Sequence, residues 1–483
     1  MFLSSFFLNL YTPINKLNIA KIFFFLFLVS LFFPIRYVFP TKEAFQTGAY
    51  SDFTSISLYL SDIFLFLTIF FTFSSRGGVN LPRGGSLPPR GMMSWAWSKI
   101  KDYGLWILIL WLILGLILHF SKIYGLNWWF FLKYMELIVA YGTTRYLFSK
   151  TVIKQQFFSL FLFLSSFQAI LAIWQFVAQK SLGLGKIGEQ LLSPSIIGVA
   201  KIVSSETTYI RGYGTFPHPN LLSAFLVVGI LISVYLLTNS TKLYQKTLIT
   251  LALFVNIIGL TVTFSRAGLL AAGIGLAIFF GLLIMENWGV HKRVILTSIF
   301  LITISCLAPF LIFKPYLQTR ATVTDQASLE RVFYAKTAWK MIKQHPILGV
   351  GIGESVIHMQ QYSLIKLWPW QIQPVHNYFL LSAAELGIPG MLILIWFFFL
   401  HLKKLVVSIK NQVLSGDKEL TTYYMLLATF FSFLILMQFD HYFYTLQQTQ
   451  MLLWIFLGII ASETRLLKTK TPHPPTGGGD LFL

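Results

Sequence analysis

Long apolar runs recur along this 483-residue chain, most of them separated by short polar connections. The run YFLLSAAELGIPGMLILIWFFF, which follows His376-Asn377, is long enough to cross about 30 Å of hydrocarbon. Repeated over the chain, such runs dictate an all-α fold, a polytopic transmembrane helix bundle. Composition agrees: 56% of the residues are hydrophobic and 11% are charged, against roughly 45–50% and 25% in soluble domains.

About twelve spans are expected, at approximately 22–40, 54–73, 103–121, 126–147, 157–179, 217–238, 244–263, 267–285, 293–313, 377–400, 421–439 and 446–462. They read as a single bundle over residues 1–470, because only two connections are long enough to hold extra structure. Basic residues then assign the sides. Arg76, Arg83, Arg90, Lys99, Lys101, Arg145, Lys150, Lys154, Lys242, Lys246, Lys292, Arg293, Lys403, Lys404, Lys410 and Lys418 fall on one side of the layout. The short connections of the other side offer only Arg36, Lys42, Lys122 and Arg266. The positive-inside bias makes the first side cytoplasmic, with both termini. The same confinement accounts for the net charge of +20 and excludes nucleic acid as a partner. Ile22 to Phe39 lacks a small-x-small cleavage site, so a retained first span is expected. The lone Cys306 excludes an intrachain disulfide.

Outside the spans, RGGVNLPRGGSLPPRGMM (76–93) and the tail at 471–483, with its TPHPPTGGG, are rich in Gly and Pro and are expected to be flexible and cytoplasmic. Two outer connections are long, 180–216 and 314–376. The second contains SLERVFYAKTAWKMIKQHP, where Val332, Ala335, Trp339 and Ile342 recur at helical spacing and Lys336, Lys340 and Lys343 fall on another face. An amphipathic helix is predicted there, capped by Ser328, stopped before Pro346, and lying along the outer membrane surface.

Under this topology the polar clusters gather on the outer side: RGYGTFPHPN (211–220), TFSRAG (263–268), Glu330-Arg331, His376-Asn377 and Asp440-His441. That points to one site. Arg266 stands beside the start of span eight, whose unpaired amides favour an anion, and suits either a phosphate or lipid headgroups. Arg331 suits a phosphate or a lipid-facing surface, and Arg211 a phosphate or a plain loop. His218 and His345 both precede proline and fit local turn or helix-end roles. His376, where the chain enters lipid, suits either a general base, whose pKa range it has, or a structural role, and Asn377 gives it a hydrogen-bonding neighbour. Asp440 suits either orienting an imidazole or solvation. GVGIG (349–353) lacks the strand, the βαβ unit and the lysine of a nucleotide loop and reads as a tight turn. No HExxH, DxD or Cys cluster appears, and the outer histidines and acids are scattered, so no metal set is expected.

At these residues the chain resembles the O-antigen ligase and O-antigen polymerase superfamily, GT-C-type membrane glycosyltransferases that use lipid-diphosphate donors. His376-Asn377, nine residues, Gly387, two residues and Gly390 fit the ligase pattern H-[NSQ]-x9-G-x-x-[GTY]. RGYGTFPHPN, the SRAG turn and ERVFYAKTAWKMIKQHPILGVGIG support it. The resemblance implies that Arg266 and Arg331 bind the donor diphosphate, with Arg211 as a further contact, and that His376 activates the acceptor hydroxyl. Asn377, Asp440, His218 and Asn220 are the expected supporting residues. The implied reaction moves a glycan from undecaprenyl diphosphate to lipid A core or another glycan, lipid or protein acceptor. It takes place at the outer face of a bacterial cytoplasmic membrane, without metal, ATP or other cofactor. A polymerase and a protein O-oligosaccharyltransferase remain open as rivals of the same kind. A polysaccharide flippase or transporter is the rival from another class; no internal repeat or polar recurrence at mid-membrane depth favours it.

Overall fold

The computed structural model describes residues 16–45, 50–74, 103–119, 126–149, 151–203, 208–312, 326–363, 365–368, 371–415 and 420–469. The Gly/Pro-rich insert at 76–93 and the tail at 471–483 lie outside the described residues, as does the stretch 314–325 of the long connection.

The helices are α1 Lys16–Phe32, α2 Leu60–Ser74, α3 Tyr103–Leu118, α4 Leu126–Phe148, α5 Thr151–Ala178, α6 Pro219–Asn239, α7 Leu243–Val262, α8 Arg266–Ile312, α9 Gln326–Gln344, α10 Ser355–Tyr362, α11 Tyr378–Ser415, α12 Leu420–Phe439, α13 Tyr442–Thr445 and α14 Gln447–Thr469. Two short antiparallel ribbons accompany them, β1 Arg36–Phe39 with β2 Ile56–Tyr59, and β3 Lys201–Val203 with β4 Thr208–Ile210. Among the described residues, six helical segments are long and apolar enough to cross a membrane. They are Ile153–Ala178, Pro219–Asn239, Leu243–Val262, Arg266–Ser305, Tyr378–Leu414 and Leu420–Phe439. Shorter apolar helices run over Leu17–Phe32, Leu60–Ser74 and Tyr103–Leu118. The chain is a multi-pass membrane protein with an all-helical fold.

α6 is the hub. Pro219 at its first position presets the helical φ, and nearly every residue from Leu221 to Leu237 is buried. Small residues let neighbours close on it and on each other. A Cβ at Gly229 would strike Ser165 and Asn256, and Ser432 of α12 donates to the Ala271 carbonyl of α8 at 2.9 Å.

Three features depart from the sequence reading. The first span ends at Phe32, because Pro34 stops the helix, and Arg36–Phe39 pairs as a strand with Ile56–Tyr59. The apolar alternation of both strands had merged with the adjoining spans. Spans eight and nine fall within one helix, α8, divided at Asn287 by an extended residue (φ −165°, ψ 98°). In α9 the buried side is Tyr334, Thr337, Ala338, Met341 and Ile342, while Val332 and Trp339 are exposed and Ala335 is partly so. The helix also begins at Gln326, ahead of Ser328.

The break that matters most for the site is in α11. Gly387 adopts φ 75°, the left-handed region that glycine alone enters freely, and a Cβ there would collide with the Ile347 carbonyl. The GVGIG turn packs into the break. Val350 N donates to Ala384 O at 2.8 Å, Gly351 N to Glu385 O at 3.2 Å and Ile388 N to Pro346 O at 2.8 Å. The Glu385 carboxylate accepts from Gly353 N at 2.7 Å and from the Ser355 hydroxyl at 2.6 Å. GVGIG is thus a strap on the short helical segment that His376-Asn377 opens.

Candidate active site

Asn377 explains the second position of the His-Asn pair. Its Oδ1 accepts from Phe379 N at 3.0 Å and Leu380 N at 2.9 Å, capping α11, while its Nδ2 donates to the Gln438 carbonyl at 2.9 Å. The start of α11 is thereby tied to the end of α12, and the residue just before the cap, His376, is set against the α12–α13 junction. The His376 and His441 rings meet edge to face with centroids 5.0 Å apart. Tyr334 covers another side of His376, nearly parallel at 5.4 Å, and its hydroxyl is anchored on the Gln371 carbonyl at 2.9 Å. Arg331 lies one turn earlier on the same face of α9.

A hydrogen-bonded chain reaches the pair from α6. The buried Arg211 guanidinium donates to the Thr263 carbonyl at 2.5 Å and to Asn220 Oδ1 at 2.6 Å. Asn220 Nδ2 donates to Asp440 Oδ2 at 2.9 Å, and Asp440 Oδ1 accepts from the His441 amide at 2.9 Å. His441 Nδ1 meets Thr445 Oγ1 at 2.6 Å. His218 acts as a cap: its Nδ1 accepts from Asn220 N at 3.2 Å, and its ring lies 5.3 Å from that of Tyr442.

Two polar atoms in this cluster are buried without a hydrogen-bond partner among the described residues, His376 Nδ1 and Arg331 Nε. Burial lowers the His376 pKa below its ordinary 6.5, helped by the positive charge of Arg331 and opposed by Asp440, Glu330 and the Pro374 carbonyl. Burial likewise lowers His441 well below 6.5, and His376 and His218 add to the effect. Tyr334 is pushed up to about 12 by burial and by Glu330. Both imidazoles are therefore neutral at neutral pH, and His376 can accept a proton.

Arg266 is exposed at the first position of α8. The preceding Ser265 caps that helix by accepting from Gly268 N at 3.1 Å, after Phe264 turns the chain at φ 47°. Ser265 also meets Ser223 of α6 at 3.2 Å, so the SRAG turn is fixed to the helix that carries Asn220. His345 bonds the Tyr362 hydroxyl at 2.9 Å, within the α9–α10 unit.

The structure thus brings together Arg211, Asn220, Asp440, His218, Arg331 and His376, and uses Asn377 as a cap. Two neighbours carried no comparable signal. Tyr334 reads as one more aromatic on an amphipathic helix, and His441 was visible only as the partner of Asp440. Against the expectation of no metal set stands one geometric grouping among the described residues. His376, Asp440 and His441 offer ligand atoms that all lie within 4.8 Å of one another, a grouping with the composition of a cation site. Arg211 and Arg331 beside it raise the cost of a further positive charge.

Residues 251–395 match the family model described as O-antigen ligase. This stretch, under half of the chain, is similar to the O-antigen ligase superfamily. The O-antigen ligase segment contains Arg266, Arg331, His376 and Asn377, and leaves Arg211, His218, Asn220 and Asp440 on flanking helices. That family is one of glycosyltransferase-like membrane enzymes, spanning ligases and polymerases. No curated protein matches the chain.

Proposed function

We propose that this protein transfers a glycan from undecaprenyl diphosphate to an acceptor hydroxyl, as a ligase-like glycosyltransferase at the outer face of a bacterial cytoplasmic membrane. The observation that carries the reading is His376: a neutral imidazole with an unpartnered buried Nδ1, set beside Arg331 within the O-antigen ligase segment.

In this scheme the acceptor O–H gives its proton to His376 as its oxygen attacks the anomeric carbon of the donor. The bond from that carbon to the diphosphate oxygen breaks, and undecaprenyl diphosphate leaves with the electron pair. Negative charge growing on the leaving group is met by Arg331, whose Nε has no hydrogen-bond partner among the described residues, and by Arg266 at the start of α8. Arg211 is held through Asn220 to Asp440, so it steadies the cluster and adds positive potential. Asp440 favours the imidazolium that forms on His376. The scheme draws its energy from the donor phosphoester bond and uses neither ATP nor a metal ion.

The test is transfer from a defined undecaprenyl-diphosphate glycan in proteoliposomes, with donor binding measured separately. His376→Gln should bind donor and fail to transfer. Near-normal turnover by this variant removes the general-base role.

A further inference from the structure

A cavity of about 70 Å³, more apolar than polar in its lining, lies next to the histidine cluster, and neither the two histidines nor Arg211, Arg266 or Arg331 lines it. The β1–β2 ribbon builds one wall. Its register pairs Arg36 with Tyr59, and the pleat turns Arg36, Ser57 and Tyr59 inward while Tyr37, Phe39 and Leu58 stay exposed. Three residues join the cavity to the cluster. Phe53 packs edge-on against His441 at 5.5 Å, Thr445 holds His441 Nδ1, and Pro374 lies two residues before His376.

The wall chemistry fits an uncharged, hydroxyl-rich ligand. Its cations are already matched: Arg36 bonds Asp52 at 2.7 Å and the Tyr59 hydroxyl at 3.2 Å. Lys133 reaches Asp62 at 2.5 Å, Glu136 at 2.9 Å and Gln447 Oε1 at 2.8 Å. An anion would have to break those pairs. Gln447 and Gln450 bring amides, which both donate and accept as ring hydroxyls do, and Tyr59 and Tyr134 bring aromatic surface. The Tyr444 hydroxyl is buried in the same wall. The volume suits several waters at roughly 10–15 Å³ each, which the hydroxyls along one edge of a sugar ring would replace.

We infer that this cavity is an acceptor subsite that takes one hydroxyl-bearing edge of the terminal ring of an uncharged glycan and holds that ring beside the His376–His441 pair. The inference rests on the transferase reading, since it is the contact of the lining residues Phe53 and Thr445 with His441 that makes the bound sugar an acceptor.

The test uses the full-length chain in nanodiscs and saturation-transfer NMR with the methyl glycosides of glucose, galactose and N-acetylglucosamine as probes. At least one glycoside should give a saturable signal that survives in His376→Gln and is lost in Ser57→Leu, which fills the cavity. Asp52→Asn, at a side chain 44% exposed and so tolerant of change, should raise the acceptor KM about tenfold with the donor KM unchanged. Absence of a saturable signal from all three probes overturns the inference, as does a signal indifferent to both cavity variants in folded protein. Binding of a farnesyl-diphosphate glycan is read on the same samples. A chain that binds glycoside in the cavity but not this donor overturns the transferase reading and leaves a sugar site without an acceptor role.

Discussion

Two buried polar clusters flank the RGYGT turn, and they differ in whether their hydrogen bonds close. In the first, Gln175 accepts from Tyr213 N and Gly214 N at 3.1 and 2.8 Å and donates to Gly214 O and Glu189 at 2.7 and 2.8 Å. Glu189 in turn accepts from Leu182 N and Leu184 N at 2.7 and 2.6 Å, and Gln168 clamps Thr215 to the Phe32 carbonyl. The second cluster begins two residues earlier at Arg211, runs through Asn220 and Asp440 to His441 and His376, and ends in unpartnered atoms on His376 and Arg331. A satisfied buried network fixes a backbone; one with unmet capacity beside a family motif holds that capacity for a ligand. The closed cluster is the scaffold of the open one, because it sets the turn from which Arg211 projects.

The largest expected effect falls on the open cluster. His376→Ala and His376→Gln should both lower transfer by roughly 10²–10⁴ while leaving the melting temperature near wild type. On the closed side, Gln175→Leu removes partners from Tyr213, Gly214 and Glu189, at roughly 1–3 kcal/mol for each orphaned group. Thermal denaturation should show that loss, with turnover per folded molecule retained. Arg331→Ala should cost roughly 1.5–3 kcal/mol of transition-state binding, and Lys, which keeps the charge without the planar fork, should fall between Ala and wild type. Measured as kcat/KM for donor, equal activity in all three would move Arg331 to the lipid-facing surface.

A smaller effect is expected from pH. His376 must be neutral to accept a proton, and its pKa lies below 6.5. The kcat/KM profile should therefore be flat at neutrality and fall as pH drops through that lowered value. An acid limb above 6.5 would contradict the direction of the shift. The smallest effect should come from EDTA, which is expected to leave turnover unchanged. Loss of activity restored by one divalent cation would reassign His376, Asp440 and His441 as its ligands.

Much of this contrast was legible in the chain. Apolar runs located most helices, GVGIG was read as a turn, and the clustering of Arg and His motifs pointed to one site. What escaped depends on tertiary packing. The glutamines of the closed cluster lie on apolar helix α5 and carry no motif, because their partners are backbone groups distant in sequence. Tyr334 and the buried side of α9 were hidden for a related reason: Val332 and Trp339 look like a core stripe until the neighbouring α11 selects another face. The β1–β2 ribbon was absorbed into two spans because its strands are as apolar as the helices they adjoin.

The division between the clusters is tested most directly by reading melting temperature and turnover per folded molecule on the same preparations of wild type, His376→Gln and Gln175→Leu. His376→Gln should melt like wild type and fail to transfer, and Gln175→Leu should melt early and turn over normally while folded. The reverse pattern, an early-melting His376→Gln with normal turnover per folded molecule, would contradict the assignment of the reaction to the open cluster.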